Sequence, residues 1–354
     1  MNKNGSGSAL HFLTMLLLGT FSLSSLVGCQ TDPLERRPIL SAYLHALAEL
    51  SEVLHQSPLH PTPPSLPRLR SRIHDLPSPR LSARLLLTLR DCPLGGLIAH
   101  RNSPLGRVMT SSQRALYEAR FLDAAPRCLV EGALGEQLAS VVKEKRTRWS
   151  ALIWNAVWGS RALGQALSLA GPRNRPPPLD PAQLASFARL AALFEPPSDE
   201  ERAAGHGYET LLVPLEESLS QLPRAVGAHL SEGELLTVVL QRAAELVSRL
   251  PCSQRTTELF RAHYLLAVQP ILSRSFQALD TLLQSLTPLR QASDGAAPAG
   301  AVDYLRLTID REHPQGLWQR GLQASRAHSA SWRALWRRCP AAEPAELRAA
   351  ERRR

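Results

Sequence analysis

The stretch PILSAYLHALAELSEVLHQ, residues 38–56, carries the spacing on which the fold assignment rests. Its large apolar side chains recur at steps of three or four residues: Leu40, Tyr43, Leu44, Leu47, Leu50 and Leu54. A helix completes a turn in about 3.6 residues, so this spacing gathers them on one face. We therefore predict an amphipathic helix over 38–56, with Pro38 near its start.

The same periodicity returns along most of the chain after residue 80. It predicts helices near 81–89, 111–124, 129–148, 149–158, 181–194, 199–222, 231–249, 255–287 (bent at Pro270) and 315–338. Ser111 and Ser112 are the expected caps of the second of these, and Ser231 with Glu234 resembles a capping box. The only stretch whose pattern allows a short strand is 302–309. The sequence thus predicts an all-α protein, an irregular multi-helix bundle with proline-rich connections.

Prolines interrupt the helical pattern most densely between residues 57 and 80. The seven that crowd this segment are Pro58, Pro61, Pro63, Pro64, Pro67, Pro77 and Pro79. Each fixes φ and lacks an N–H donor, so a long helix is excluded there. We predict an extended segment with a brief helical turn near 69–75, laid across the surface of the domain.

The amino terminus has the three parts of an export signal. Lys3 precedes an apolar run, and the run ends in Leu26-Val27-Gly28-Cys29, which resembles the lipobox of bacterial lipoproteins. The resemblance implies a lipid on Cys29 and anchoring in the outer membrane on its periplasmic side, because Gln30 is not the aspartate of inner-membrane retention. The expected layout is a lipoprotein signal peptide over 1–29, a short tether over 30–37, one helical domain over 38–340 and a tail over 341–354.

Four cysteines follow Cys29, namely Cys92, Cys128, Cys252 and Cys339. An even number in an oxidising compartment indicates two disulfides. Of the three connectivities, we favour Cys92 with Cys128 and Cys252 with Cys339, because the first pair closes a compact local unit. No C-x-x-C spacing occurs, so a redox or zinc role has little support.

Composition and motif content limit the classes of function. The formal net charge is +10, but its arginines are dispersed and no run interleaves basic and aromatic residues, so we expect no nucleic-acid partner. No two histidines after residue 29 are three or four residues apart, and the G-x-S-x-G, Walker and H-E-x-x-H patterns are absent from the chain after Cys29. The S-x-x-K match at Ser140 and Lys143 is interpreted as chance spacing in a charged helix, and we predict no metal and no cofactor. Two groups of tryptophans allow a sugar-stacking face or core packing, of which we favour the core: Trp149, Trp154, Trp158, Trp318, Trp332 and Trp336.

Residues 92–128 combine glycines, prolines and many polar side chains between two cysteines. The candidate site residues are Arg101, Asn102, Arg107, Gln113, Tyr117 and Glu118. We expect them to face one another across a turn at Gly106, chiefly as a buried network in which an arginine pairs with Glu118. A ligand site or a catalytic site is the alternative. If these residues form a structural network, replacement of Asn102 or Glu118 by Ala should lower the stability of the protein.

The same segment is similar to an uncharacterised family of proteobacterial lipoproteins, known as domain of unknown function 3080. The resemblance lies in the opening Cys92-Pro-Leu94-Gly95, in Arg101-Asn102-Ser103-x-Leu105-Gly106-Arg107-Val108-Met109, and in the pairs Ser112-Gln113 and Tyr117-Glu118. It implies lipoprotein status and a shared fold, and it supplies no chemistry.

These observations favour a lipid-anchored protein of the cell envelope that binds or scaffolds another component and is not an enzyme. Its expected partners are the membrane, through the lipid, and an envelope protein or glycan. A periplasmic binder of glycan or peptidoglycan fragments is the first alternative. A cell-wall hydrolase that uses Glu118 is the second, and the catalytic residues for it are unknown.

Overall fold

The computed structural model describes residues 37–53, 65–128, 130–168 and 176–345, and these ranges contain helices and no strand. The α-helices, numbered α1 to α17 in chain order, are Pro38–Leu50, Ala83–Thr88, Pro93–Asn102, Pro104–Arg107, Ser111–Ala124, Gly132–Thr147, Trp149–Val157, Arg161–Ala166, Pro181–Ala192, Asp199–Ala203, Tyr208–Leu212, Leu215–Ser220, Val226–Ser248, Gln254–Leu259, Gln269–Ser293, Ala299–Tyr304 and Leu317–Arg338. Two π-helical stretches, Phe260–Val268 and Leu305–Ile309, follow α14 and α16 directly. The predicted all-α bundle is confirmed.

Two long helices, α13 and α15, run through both of the large apolar clusters. Val226 and Leu230 of α13 belong to the first cluster, whereas the part of α13 from Leu235 onwards belongs to the second. The first cluster also holds the tryptophans of α7, and the second joins α1 to α17 and to the first π-helical stretch. A third, smaller cluster lies beneath the segment between Cys92 and Cys128.

The first helix begins where predicted but ends at Leu50, six residues before the predicted end, in a turn where Glu52 has a φ of 56°. α1 begins at Pro38 and buries Leu40, Tyr43, Leu44, Leu47 and Ala48. Its start is fixed by an ion pair in which Arg37 donates to the carboxylate of Glu232 on α13, at 2.6 Å from Nη2. The predicted signal peptide with Cys29, and the predicted tether except for Arg37, lie outside the described residues. Within the described ranges, no helix is both long and apolar enough for a bilayer crossing.

Several local predictions were wrong for identifiable reasons. The short strand that the sequence allowed over 302–309 is not formed. These residues are helical, and the buried Thr308 and Ile309 lie three and four residues after Leu305. The helix expected over 199–222 is divided into α10, α11 and α12, with Gly205 at φ +89° between the first two. Ser231 lies inside α13, where its hydroxyl donates to the carbonyl of Gly227, so it caps nothing.

Pro270 lies where the first π-helical stretch passes into α15, inside a helix that is continuous from Gln254 to Ser293. Its missing N–H interrupts the backbone hydrogen bonds of that helix. The irregularity lies just before Pro270, in the π-helical stretch 260–268. π-helical turns place one extra residue in the helix and are frequent at functional sites.

Candidate functional site

The four cysteines after Cys29 form the two predicted pairs. Cys92 and Cys128 are bonded with their Cα atoms 5.6 Å apart, and Cys252 and Cys339 with theirs 5.3 Å apart. The first disulfide joins the residue before α3 to the residue after the short turn that ends α5. It therefore closes the base of the hairpin formed by α3, α4 and α5, which we call the stapled hairpin (residues 92–128).

The turn of this hairpin is built by contacts between neighbouring backbone and side-chain atoms. The hydroxyl of Ser103 accepts a hydrogen bond from the N–H of Gly106 at 3.2 Å and donates to the carbonyl of His100 at 2.7 Å. The guanidinium of Arg101 donates to the carbonyl of Gly106. A Cβ on residue 106 would collide with the carbonyls of His100 and Arg101, so the close approach requires glycine.

α5 begins at a capping box one residue earlier than predicted. The N–H of Gln113 donates to the hydroxyl of Thr110, and the N–H of Thr110 donates to the side-chain amide oxygen of Gln113. The reciprocal pair satisfies two free N–H groups at the start of the helix. Ser111 and Ser112, the predicted caps, are the first two residues of the helix. Gln113 is thus engaged in the cap.

The strongest electrostatic feature of the hairpin is a buried ion pair. Lys145 of α6 donates to the carboxylate of Glu118, and both side chains are 8% exposed. The ammonium also lies 4.4 Å from the ring centre of Phe121 and 5.6 Å from that of Tyr117. Burial lowers the pKa of Lys145 and the neighbouring Glu118 opposes that shift. A second cation, Arg114, approaches Glu118 to 4.0 Å.

A narrow cavity of about 20 Å³ opens next to this pair, with room for roughly one water molecule. Its walls are formed by Leu76, Pro77, Pro79, Arg114, Glu118, Glu144, Lys145, Arg148 and Leu152. Residues 76–79 belong to the proline-rich segment, which covers the cavity from outside. The space is far smaller than the several hundred Å³ of a ligand pocket. The ion pair of Glu118 and Lys145 therefore lies in packed protein, beside a space too small for a ligand.

The proline-rich segment is held by side chains of the helices beneath it. The side-chain amide of Asn155 accepts from the N–H of His74 at 2.8 Å and donates to its carbonyl at 2.9 Å. Trp154 donates to the carbonyl of Arg72 at 2.6 Å. Farther along, Arg114 and Arg148 donate to the carbonyls of Leu76 and Pro77. We call residues 65–82 the strap. The predicted extended segment with its short turn, at Leu69–Ser71, is confirmed within these residues.

The six candidate site residues differ in their burial and in their contacts. Tyr117 and Glu118 are buried, and Arg101 is half-buried with its guanidinium on the turn. Asn102, Arg107 and Gln113 are exposed. No hydrogen bond or ion pair joins two of the six within the described part of the chain. The six residues therefore do not form one network across the turn. An arginine does approach Glu118, as expected, but it is Arg114, at 4.0 Å, and the closest partner of Glu118 is Lys145 of α6.

Lys145 was missed by reasoning from the sequence. A signal was present, since Leu138, Val141 and Lys145 follow one another at helical steps and the first two are buried. A lysine on the apolar stripe of a helix requires a buried acid as its partner. Which acid that is depends on packing between helices that are distant along the chain.

A second buried polar group was also missed. The phenol of Tyr43 lies 2.7 Å from Nε2 of His328, and the indole of Trp332 donates to the same nitrogen at 3.2 Å. Since an indole N–H only donates, Nε2 is the acceptor and the neutral ring carries its proton on Nδ1. Burial lowers the pKa of His328 to about 4. The rings of Phe260, Tyr264 and Trp336 complete this aromatic cluster.

The tryptophans and the acidic residues offer little surface for a ligand. Of the six tryptophans, all except the half-buried Trp318 are buried, which agrees with core packing. Two further buried carboxylates, Glu232 and Glu234, are paired with Arg37 and Arg320. Among the residues described, no group of histidine, cysteine and carboxylate side chains is arranged to hold a metal ion.

Comparison with known proteins gives one result, and it concerns the family. No curated protein matches the chain, and no solved structure does. A family model described as "Protein of unknown function (DUF3080)" matches residues 40–342, which covers the described helices from α1 to α17. The chain belongs to the DUF3080 family.

Proposed function

We propose that the protein is an exported lipoprotein, anchored by lipid on Cys29, which binds another component of the cell envelope without catalysis. The observation that carries the first part is the pairing of the cysteines. The chain has five, and four of them form two disulfides with one another. Disulfides persist in oxidising compartments outside the cytosol. Cys29, which ends the lipobox-like sequence, has no disulfide partner left within the chain.

The buried charges support binding over catalysis. An acid or base used in catalysis must reach a substrate, in a cleft that also holds that substrate. Glu118 is instead engaged by Lys145 beside a cavity of about 20 Å³. Glu232 and Glu234 are likewise engaged by arginines. The buried tryptophans give the glycan alternative no broad stacking face. Binding through the helical surface is the reading that these contacts favour.

The anchor is tested by labelling cells with an alkyne analogue of palmitate and isolating the protein. We expect the wild-type chain to be labelled and to sediment with outer membranes. Cys29→Ala should abolish the label, whereas Ser24→Ala, a change in the same segment, should retain it. Labelling that persists in Cys29→Ala would contradict the assignment of the lipid to this residue.

The binding role is tested separately by crosslinking in intact cells. The lipid-anchored chain should yield discrete crosslinked species of higher mass that form at native expression levels. A chain that carries the lipid and remains entirely monomeric after crosslinking would count against a scaffolding role and would leave the anchor untouched.

A further inference from the structure

The tip of the stapled hairpin displays apolar side chains to solvent. Leu105 of α4 and Val108, directly after it, are each 76% exposed, although Leu94 and Ile98 earlier in the same hairpin are buried. Pro104 beside them is exposed as well. Exposed single apolar residues are common on proteins, but two large ones three positions apart form a local apolar patch.

This tip is rigid, so the exposure is a fixed property of the fold. Ser103 caps the single turn of α4, and Arg101 holds the carbonyl of Gly106 from the preceding helix. Thr110 and Gln113 fix the start of α5 on the other side. The disulfide closes the base. Side chains that are held outward in this way cannot turn inward to escape water without dismantling the turn.

The charge of the hairpin indicates what covers the patch. Residues 92–117 contain no aspartate and no glutamate, and they contain three arginines and one histidine. Arg101 and Arg114 are engaged with carbonyl groups, but Arg107, between Leu105 and Val108, is exposed and forms no ion pair within the described residues. A cation flanked by apolar side chains matches the interface of an anionic bilayer, where lipid phosphates meet hydrocarbon.

The size of the patch favours a lipid surface over a protein. A stable protein interface buries about 800 Å² on each side. Such an interface takes roughly 20–30 residues from each partner, whereas this patch consists of two side chains and a proline. A bilayer imposes no such minimum, because each apolar side chain that enters it contributes separately. A lipid anchor on the same chain would keep the tip close to the membrane and raise its effective concentration there.

We propose that the stapled hairpin is a membrane-contacting tip, in which Leu105 and Val108 enter the bilayer interface and Arg107 binds lipid phosphates. The setting in the cell rests on the proposed lipid anchor. The tip itself does not, since it should bind membranes without the anchor. The lipid anchor attaches the chain to the membrane at one point. The tip adds a second point of attachment, and the two together orient the helical domain against the membrane surface.

The test measures vesicle binding by the chain from residue 30 onwards, which has no lipid and contains every described residue. The vesicles contain phosphatidylethanolamine with phosphatidylglycerol, or phosphatidylcholine alone. We expect binding to the anionic vesicles that weakens with salt, and weaker binding to the neutral ones. L105S/V108S should lower the partition constant by about tenfold or more, because burial of each side chain contributes appreciably. Arg107→Gln should remove part of the salt dependence.

The matched control is V213S/L266S, since Val213 and Leu266 are 75% and 74% exposed and lie outside the hairpin. This variant should bind as the wild type does. All variants should keep the wild-type melting temperature, because the replaced side chains are exposed. Three results would each overturn the proposal: no binding of the wild type to anionic vesicles, unchanged binding of L105S/V108S, or an equal loss in V213S/L266S. None of these results bears on whether Cys29 carries a lipid, so the two proposals fail separately.

Discussion

The ammonium of Lys145 donates to the carboxylate of Glu118 across the contact between α6 and α5, and both side chains are almost fully buried. This relationship changes the role of the acidic residue that the sequence singles out. Glu118 has its charge compensated inside the protein by Lys145, whose ammonium lies against the rings of Tyr117 and Phe121. It stabilises the packing of the stapled hairpin on α6.

Removal of one partner of this pair should destabilise the fold strongly. Glu118→Gln leaves the ammonium of Lys145 buried without its counter-ion, and we expect a loss of about 3 kcal/mol in the free energy of unfolding. The double variant E118Q/K145M should recover part of that loss, because the ammonium is then no longer buried without its counter-ion. Urea denaturation of the wild type, the two single variants E118Q and K145M, and the double variant measures the coupling.

The exposed pair of Arg120 and Glu209, with side chains 47% and 48% exposed, is the control for this series. Arg120→Ala should cost less than about 1 kcal/mol, since an exposed pair gains little over water. Asn102→Ala should also have little effect, because Asn102 is exposed and makes no side-chain hydrogen bond in the described structure. Equal losses of unfolding free energy in Glu118→Gln and Asn102→Ala would contradict the conclusion that Glu118 stabilises the hairpin and Asn102 does not.

His328 should make stability depend on pH over a defined range. Its pKa is about 4 in the folded protein against 6.5 for an ordinary histidine, so the unfolded chain takes up the proton first. The stabilisation is complete above pH 6.5 and is lost as the pH falls towards 4. The full effect is on the order of 3 kcal/mol.

The measurement compares the pH dependence of unfolding in the wild type and in His328→Gln, whose amide oxygen can still accept from Tyr43 and Trp332. Subtraction removes the carboxylates that titrate in both proteins. We expect the variant to lose less stability between pH 6.5 and 4. Parallel curves would show that His328 does not hold its neutral form in the fold.

The two disulfides should contribute unequally. The Cys252–Cys339 bond closes a sequence separation of 87 residues and the Cys92–Cys128 bond one of 36. Restriction of the unfolded chain then gives about 4.5 and about 4 kcal/mol respectively. Replacement of each pair by alanines, followed by thermal unfolding, measures both. C92A/C128A should in addition free the base of the stapled hairpin, which hydrogen exchange in α3 detects.

The strap should depend on Asn155 for its position. Asn155→Ala removes both hydrogen bonds to the backbone of His74, and we expect faster cleavage within residues 65–82 under limited proteolysis. Gln137→Ala removes one exposed hydrogen bond to Ser82, at the end of the strap, and is the matched control. Cleavage at the wild-type rate in Asn155→Ala would show that the apolar contacts of Leu66 and Leu76 suffice.

Helical periodicity predicted the elements that bury one continuous face. α17 lies close to where the sequence placed it and α1 begins where predicted, because steps of three and four residues define a face without knowledge of its partner. The disulfide pairing was also predictable from separation along the chain. The start of α13 was not, because Val226 and Gly227 begin the helix in a close contact between Gly227 and the backbone of Leu167 and Ser168.

The sequence predicted where the candidate site lies, but it did not predict which side chains contact one another there. The sequence identified the hairpin and Glu118, but its nearest visible partners were arginines in the same segment. Lys145 is 27 residues away, and His328 is 285 residues from Tyr43. Such pairs form only when whole helices pack, so they follow from tertiary structure. The exposure of Leu105 and Val108 could not be predicted for the same reason. The sequence alone does not show whether an apolar residue faces the core or the solvent.

The central claim is that the thiol of Cys29 leaves the cytosol and becomes the acylated first residue of the mature chain. Mass spectrometry of the protein purified from membranes of the native cells tests it most directly. We predict an amino-terminal peptide that begins at Cys29 and carries a diacylglyceryl group. Recovery of peptides from residues 2–28, or of Cys29 as a free thiol, would contradict the account.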